Sequence, residues 1–488
     1  MSTEIDSARP LRGGPIIGGD RLTRTTEGTY DHLYPATGRP NGTVHVAGPT
    51  EIDQAVTSAR EAQREWISYT TDRRRDLLID LADAVHETMS EFTRLNVHDY
   101  AVPVSLAVNA VLLERFLRYF AGYADKPHGL STPVTGSADV NLVEREPYGV
   151  VGVIAPWNGS MVVAGSCVAP ALAAGNAVVL KPSLLAPFAA LRLGELCTEA
   201  GLPAGLVNVV PADTHGSEAL VRHPGIGKIH FTGGADTARR VLTSAAANLT
   251  PVVAELGGKS ANLVFRDADL DAAAQLAAHQ GPIMQSGQSC ASASRVLVHE
   301  SVYRAFTKKF VAAIEAATVG DPFDPAVVFG PVISENAVER ILGVIERTVA
   351  DGSGELLTGG RRIGGALARG YYLQPTVFGT VDNRSELART ETFGPVVSVI
   401  PFTDEAHAIS LANDTEYGLN AFVQTTDLAR AHRVSRQLQA GSVWVNQISD
   451  ISPQGPYGGY KQSGFGRTGG LDGLYEFLQV KNIRIGMN

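Results

Sequence analysis

From Gly149 onward the chain repeats one pattern, a short β-branched run followed by a helical stretch. The runs are residues 150–154, 177–180, 207–210, 228–231 and 252–254, with helices such as 187–200 and 236–247 between them. Strands alternating with helices in this way predict a parallel sheet with crossover helices, the usual seat of a nucleotide, and so an α/β fold class. A second alternating block runs from Ala261 to about Val445, with helices near 301–317 and 334–350. Before the first block the chain is helical. Thr50 is the expected cap of a helix reaching about Ser68, and Asp72 that of another with Leu77, Leu78, Leu81, Ala82 and Val85 on one face. Residues 139–145 and 477–484 alternate with period two, as strands do. At 488 residues the chain exceeds one small core, and two or three domains are expected.

Composition narrows the function classes. Hydrophobic residues make up 44% and charged ones 19%, which suits a globular protein and argues against disorder. A net charge of −9 disfavours nucleic acid or an anionic membrane as partner. Three cysteines without a Cys-x-x-Cys pair build no disulfide framework and suit a reducing, cytoplasmic setting. Glu4, Asp6 and Arg9 with no apolar core beside them predict no signal peptide. Residues 161–180 carry no charge, but Pro170 and Gly175-Asn176 are expected to break them into a helix and a strand, not a membrane span.

Four motifs, far apart in sequence, carry chemistry. Cys290 ends the run Gln285-Ser286-Gly287-Gln288-Ser289-Cys290, Asn158 ends Pro156-Trp157-Asn158, Glu255 opens Glu-Leu-Gly-Gly-Lys-Ser, and Glu391 opens Glu391-Thr392-Phe393-Gly394-Pro395. Three of them have a plain alternative. A lone cysteine is more often a small buried hydrophobe, the reading kept for Cys167 and Cys197 in their apolar helical stretches. Asn158 could sit in a turn, and Glu255 could be a surface acid before a Gly-Gly turn. Together, a thiol, a neutral amide donor and two carboxylates are the parts needed to oxidise an aldehyde through a covalent thioester.

On these motifs the chain resembles the aldehyde dehydrogenase superfamily from about Thr29 to its C-terminus. The resemblance implies a Rossmann-type cofactor domain (residues 1–124 and 147–257), an α/β catalytic domain (258–455) and small β bridging segments (125–146 and 468–488), joined as a homodimer or homotetramer. It implies Cys290 as nucleophile, Asn158 with the Cys290 N–H as oxyanion donors, and Glu255 as the base that activates water. NAD is the implied cofactor, with NADP admitted. Lys181 and Ser183 would meet the adenosine ribose, and Phe231, Thr232, Gly233 and Gly234 the pyrophosphate. Ile154, Pro156, Trp157, Ala212, Leu256 and Gly257 would line the channel, with Glu391 and Phe393 at the nicotinamide. Gly159, Val162, Val163, Ser166, Ser289, Ile451 and Tyr457 would form the substrate tunnel, and no metal is implied. A formal Gly-x-Gly-x-x-Gly at Gly464, Gly466 and Gly469 lies too near the C-terminus for a βαβ unit and is not read as a nucleotide site.

The chain departs from the family pattern at several points. Leu184 stands where many NAD-preferring members carry a glutamate for the ribose 2′-hydroxyl, so nothing there repels a 2′-phosphate. Gly234 and Ala238 replace a usual serine and glycine of the pyrophosphate loop. Gly159 and Ser166 replace bulky tunnel residues, pointing to medium-to-bulky apolar or aromatic aldehydes. Cys167 and Thr468 stand where some members have a lysine and a glutamate that relay protons. Two rival readings are an acyl-transferring enzyme that uses coenzyme A, which Glu255 opposes, and a non-enzymatic descendant, which the intact motifs oppose.

Overall fold

A computed structural model describes residues 10–487; Glu4, Asp6 and Arg9 lie outside the described residues. The first block forms the parallel centre of an eight-stranded sheet. In spatial order its strands are Gly464–Phe465, Val252–Glu255, Lys228–Thr232, Val150–Ile154, Ala177–Lys181, Val207–Val209, Ile16–Ile17 and Asp20–Arg21. The five central strands are parallel, and antiparallel strands close both edges. Every residue of Val150–Ile154 is buried, as a strand covered by helices on both faces requires. Register aligns Ile154 with Lys181 and Phe231, and Thr232 with Glu255. These residues therefore share the carboxyl edge of the sheet, where open α/β folds bind ligands.

The second block forms a seven-stranded sheet in the order Glu355–Thr358, Thr376–Gly379, Val396–Phe402, Arg295–His299, Ala261–Val264, Asn420–Gln424, Ser442–Val445, parallel except at its first strand. The two period-two segments pair with each other: Val140–Pro147 lies antiparallel to Leu478–Ile485 over eight residue pairs, with Leu130–Thr132 on its other side. A fourth sheet joins Leu11–Gly13, Arg39–His45 and Thr29–Tyr34.

Three local expectations need correction. The helix Pro49–Ser68 is capped at Gly48, not Thr50, because the Glu51 carboxylate reaches back to accept the Gly48 N–H at 2.8 Å and the Thr26 N–H at 2.9 Å. The next helix, Thr71–Glu87, is capped by the Thr70 hydroxyl, which accepts the Arg73 N–H, so Asp72 already lies inside it. Pro170 does not end its helix. The run Ser160–Val163 passes through a π turn, Ala164–Val168, into Ala169–Ala173, and the wider turn accommodates the proline ring. The stop comes at Gly175, with φ of 94°, and at Asn176, whose amide donates to Ala171 O and Phe477 O. Among the described residues no single helix is long and apolar enough to cross a membrane.

Candidate active site

The cysteine loop is bent into an unusual shape. Gln285, Ser286 and Gly287 all have left-handed backbone, with φ of 50°, 54° and 69°. Only a glycine fits at 287, because a Cβ there would lie 2.2 Å from Gly394 O. Surrounding bonds hold the two strained non-glycine residues. Ser286 Oγ donates to Gly330 O at 2.7 Å, Gln288 Oε1 accepts the Ile333 N–H at 2.8 Å, and Gln280 Nε2 donates to Ala291 O at 2.9 Å. Ser289 Oγ accepts the Ala291 N–H. The loop delivers Cys290 half-buried, whereas Cys167 and Cys197 are buried. Burial pushes the Cys290 thiol up to about 11; the Tyr457 hydroxyl opposes the shift, and the charges of Glu391 and Glu255 add to it. Burial pushes Cys197 up to about 12 and Cys167 higher still.

Asn158 follows the carboxyl end of Val150–Ile154 and is stitched to the cysteine loop from both sides. Its Nδ2 donates to Gln288 O at 2.9 Å, and Gln285 Nε2 donates to Asn158 O at 3.1 Å. One amide proton remains free of these bonds, and the Cys290 N–H meets no protein acceptor among the described residues. Two neutral donor protons are thus left unbound where Asn158 meets the cysteine loop, the composition an oxyanion site needs.

Glu255 ends its strand 6% exposed, with neither carboxylate oxygen hydrogen-bonded. Burial holds its carboxyl well above the ordinary range; Arg467 opposes this and Glu476 adds to it. Its carboxyl acts electrostatically on Cys290, Tyr457 and Cys167, so the strand end and the cysteine loop share one chamber. The glycine-rich segment near the C-terminus closes that chamber. Gly464–Phe465 pairs as an edge strand with Ala254 and Glu255, and a Cβ on Gly458 would lie 2.7 Å from Glu255 Oε1. Thr468, at one of the two replaced relay positions, is bridged to Tyr457.

The expected cofactor positions lie along the same sheet edge. Lys181 is half-buried, and burial lowers its ammonium to about 8 while Asp213 raises it. Ser183 Oγ accepts the Leu185 N–H, Ala212 is buried, and Leu184 is half-buried. Phe231 is buried beneath Thr232 and Gly233, and the Gly233 N–H donates to Glu255 O at 3.1 Å. Gly234 opens the helix Ala235–Ala245, and a Cβ there would meet nothing within 4 Å, so its main chain is open to a ligand. Ala238 is buried inside that helix.

Glu391 Oε1 accepts the Gly258 N–H at 3.0 Å, and a Cβ on Gly257 would lie 2.0 Å from Oε2, so only glycine admits this approach. Burial raises the Glu391 carboxyl, opposed by Gly258, Lys259 and Arg340. Phe393 (φ 46°) sets its ring edge-on to Trp157 at 5.7 Å, next to half-buried Pro156. Leu256 donates its N–H to Ser463 O, and Ile154 is buried at its strand end.

Of the expected tunnel residues, Tyr457 and Ile451 pack with Cys290 in one apolar cluster with Ala293, Leu419, Phe422 and Trp444. An added Cβ at Gly159 would meet only Val162 Cβ, at 4.0 Å, so the glycine leaves open space. Val162 is half-buried, Val163 is buried, and Ser289 is half-buried. Ser166 is 5% exposed and turns its hydroxyl to Val163 O, along its own helix. Sequence reasoning missed Asn420, Phe422 and Trp444 around the thiol, Arg467 beside Glu255, Asp213 beside Lys181 and Lys259 beside Glu391. An asparagine heading the apolar run Ala421-Phe422-Val423 was the available signal for Asn420, since asparagine is depleted in strands.

A model of the aldehyde dehydrogenase family matches residues 22–483. Similar solved structures include a candidate aldehyde dehydrogenase of Burkholderia cenocepacia, 37% identical, covering 97% of each chain with a TM-score of 0.94. PnpE in complex with nicotinamide adenine dinucleotide is 35% identical over 98% of each chain, TM-score 0.95; PnpE has also been solved from Pseudomonas sp. WBC-3. A point mutant of Staphylococcus aureus betaine aldehyde dehydrogenase, holding NAD+ and a modified cysteine, is 33% identical over 97% of each chain, TM-score 0.94. The chain belongs to the aldehyde dehydrogenase family.

Proposed function

We propose that the protein oxidises an aldehyde to its carboxylic acid with NAD, using Cys290 as a covalent nucleophile and Glu255 as the base that releases the acid. The observation that carries this reading is the meeting of Cys290, Asn158 and Glu255 in one chamber, though they lie up to 132 residues apart in sequence. Cys290 attacks the carbonyl carbon as thiolate, while the Asn158 amide and the Cys290 N–H hold the oxygen that becomes negative. When bound, the nicotinamide supplies the acceptor for the hydride that leaves this carbon. Glu255 then takes a proton from water, which attacks the thioester carbonyl, and the bond to Sγ breaks to give the acid and free thiolate. Lys181, the open main chain at Gly234 and the acceptor Glu391 fit the adenosine ribose, the pyrophosphate and the nicotinamide ribose in that order. The NAD held by two of the similar structures supports this choice. The eight-stranded sheet serves as cofactor layer, the seven-stranded sheet as catalytic layer, and the Val140–Pro147 and Leu478–Ile485 pair as the bridge of a homodimer or homotetramer.

The buried, unpaired Glu255 favours water over coenzyme A as acyl acceptor. The direct test is NADH formation at 340 nm with a panel of aldehydes, with and without coenzyme A. Dependence on coenzyme A would replace the hydrolytic reading with the acyl-transferring one. Open space at Gly159 and the apolar cluster around Cys290 support a preference for larger apolar or aromatic aldehydes. Each further buried methylene contributes about 0.8 kcal/mol, or roughly fourfold in kcat/KM. Hexanal and a branched terpenoid aldehyde are expected to exceed acetaldehyde and succinic semialdehyde, and Ser166→Trp to penalise the bulky ones selectively. Acetaldehyde as best substrate would overturn the wide-tunnel reading.

Cofactor choice gives a separate expectation. The wild type accepts NADP with less discrimination than a member with an acid at 184, although the Asp213 charge near Lys181 still favours NAD. Leu184→Glu places a charge that opposes a 2′-phosphate and accepts from a 2′-hydroxyl. The NAD/NADP ratio of kcat/KM is expected to rise about tenfold, by roughly one charge-assisted hydrogen bond. An unchanged ratio would mean that position 184 does not face the ribose.

A further inference from the structure

We infer that the Tyr457 hydroxyl, aimed by Asn420, is the donor that activates Cys290, a positioning role that rests on the reading of Cys290 as nucleophile. Tyr457 Oη lies 3.8 Å from Cys290 Sγ, and Asn420 Nδ2 donates to the same oxygen at 3.2 Å. A phenol offers one proton and accepts through its lone pairs. With the amide bound to a lone pair, the hydroxyl proton is left for the sulfur. The contact is long for a neutral thiol, and such bonds tighten as charge develops on the acceptor.

The arrangement is rigid. Tyr457 exchanges two backbone hydrogen bonds with Thr468, at 2.7 and 2.8 Å, and its ring lies 6.5 Å from that of Trp444, which stacks on Phe422 at 5.3 Å. Asn420 opens the penultimate strand Asn420–Gln424 and is 4% exposed. The ring therefore cannot swing away, and the hydroxyl has the amide on one side and the thiol on the other.

The chamber gives this donor a task. Burial and the carboxylates of Glu255 and Glu391 all oppose a thiolate at Cys290. The nearby cations lie beside the acids: Arg467 offsets Glu255, and Lys259 and Arg340 offset Glu391. The groups that favour the thiolate directly are the Ala291 N–H and the Tyr457 hydroxyl. Tyr457 itself is held far above its ordinary titration range by burial, so it remains a neutral donor and never a phenolate beside the sulfur.

The test follows iodoacetamide alkylation of the full-length protein from about pH 7 to about pH 10, with the modified cysteine identified by peptide mass spectrometry. In Tyr457→Phe the ring and its packing stay, and only the donor goes. Its alkylation profile is expected to move to higher pH by about one unit, which leaves alkylation about tenfold slower across this whole range because the Cys290 thiol, pushed up to about 11, stays mostly protonated throughout it. The pH profile of kcat/KM should move in the same direction. Asn420→Ala should produce a smaller upward shift alone and no further shift on top of Tyr457→Phe, because it acts through the hydroxyl. A profile unmoved in Tyr457→Phe would reduce Tyr457 to a wall residue and overturn the inference. A shift to lower pH would also overturn it, by showing the Asn420 amide reversed and the hydroxyl turned from the sulfur. Alkylation at a different cysteine, or alkylation of Cys290 without loss of turnover, would instead refute Cys290 as nucleophile.

Discussion

Cys290→Ala is expected to abolish NAD-dependent aldehyde oxidation, with a loss on the order of 10⁴-fold or more in kcat, because the covalent step has no substitute nucleophile. Cys167 and Cys197 are 0% and 2% exposed, and burial raises both thiols above their ordinary range. Neither has a loop that presents it to solvent, so Cys167→Ala and Cys197→Ala should keep most of the wild-type rate. Deleting the sulfur should leave folding intact: Cys290 is only half-buried, and the loop is held through Ser286, Gln288 and Gln280. NAD affinity, measured by ligand-induced change in melting temperature, should therefore persist in the inactive variant. Turnover near the wild-type rate would remove Cys290 from the mechanism.

The parallel sheets were legible because their strands are short apolar runs bounded by turns, and two-sided burial leaves that pattern in the sequence. Val150–Ile154 was read to the residue, and Lys228–Thr232 and Val252–Glu255 fell one residue short at the carboxyl end. Those last residues are polar, and parallel pairing of Thr232 with Glu255 extends the strands past their apolar pattern. The two helix caps failed for a related reason. Gly48 serves as a cap only because Glu51 folds back and Thr26 comes from another segment, and a local scan sees Thr50 first. The motifs at Cys290, Asn158, Glu255 and Glu391 were readable as sequence, but the left-handed bend at Gln285 and Ser286 was not. It exists because Gly330 and Gly394 accept or crowd that loop from afar. Asn420, Tyr457 and Cys290 are separated by up to 167 residues, so their bond chain belongs to packing alone.

Glu255→Gln should separate the two halves of the reaction. Glutamine keeps the volume of the side chain, which matters where Gly458 approaches so closely, but it cannot take a proton from water. The acyl group should then form on Cys290 and stay there. One equivalent of NADH per site should appear in a burst, followed by turnover about 10²- to 10⁴-fold slower, and intact-mass spectrometry should find the acylated enzyme. Stability should move the other way. The Glu255 carboxyl is raised in the folded chain, so the wild type binds its proton more tightly folded than unfolded. That contribution is complete below the unfolded carboxylate value, near pH 4, and is lost as pH rises toward the folded value. The neutral glutamine carries no such penalty, so the variant should match the wild type in acid and melt higher at neutral and alkaline pH. A variant that turns over normally without accumulating acyl-enzyme would sink the assignment of Glu255 as base. An equal melting temperature at all pH values would show that its carboxylate finds a charge partner or water in solution.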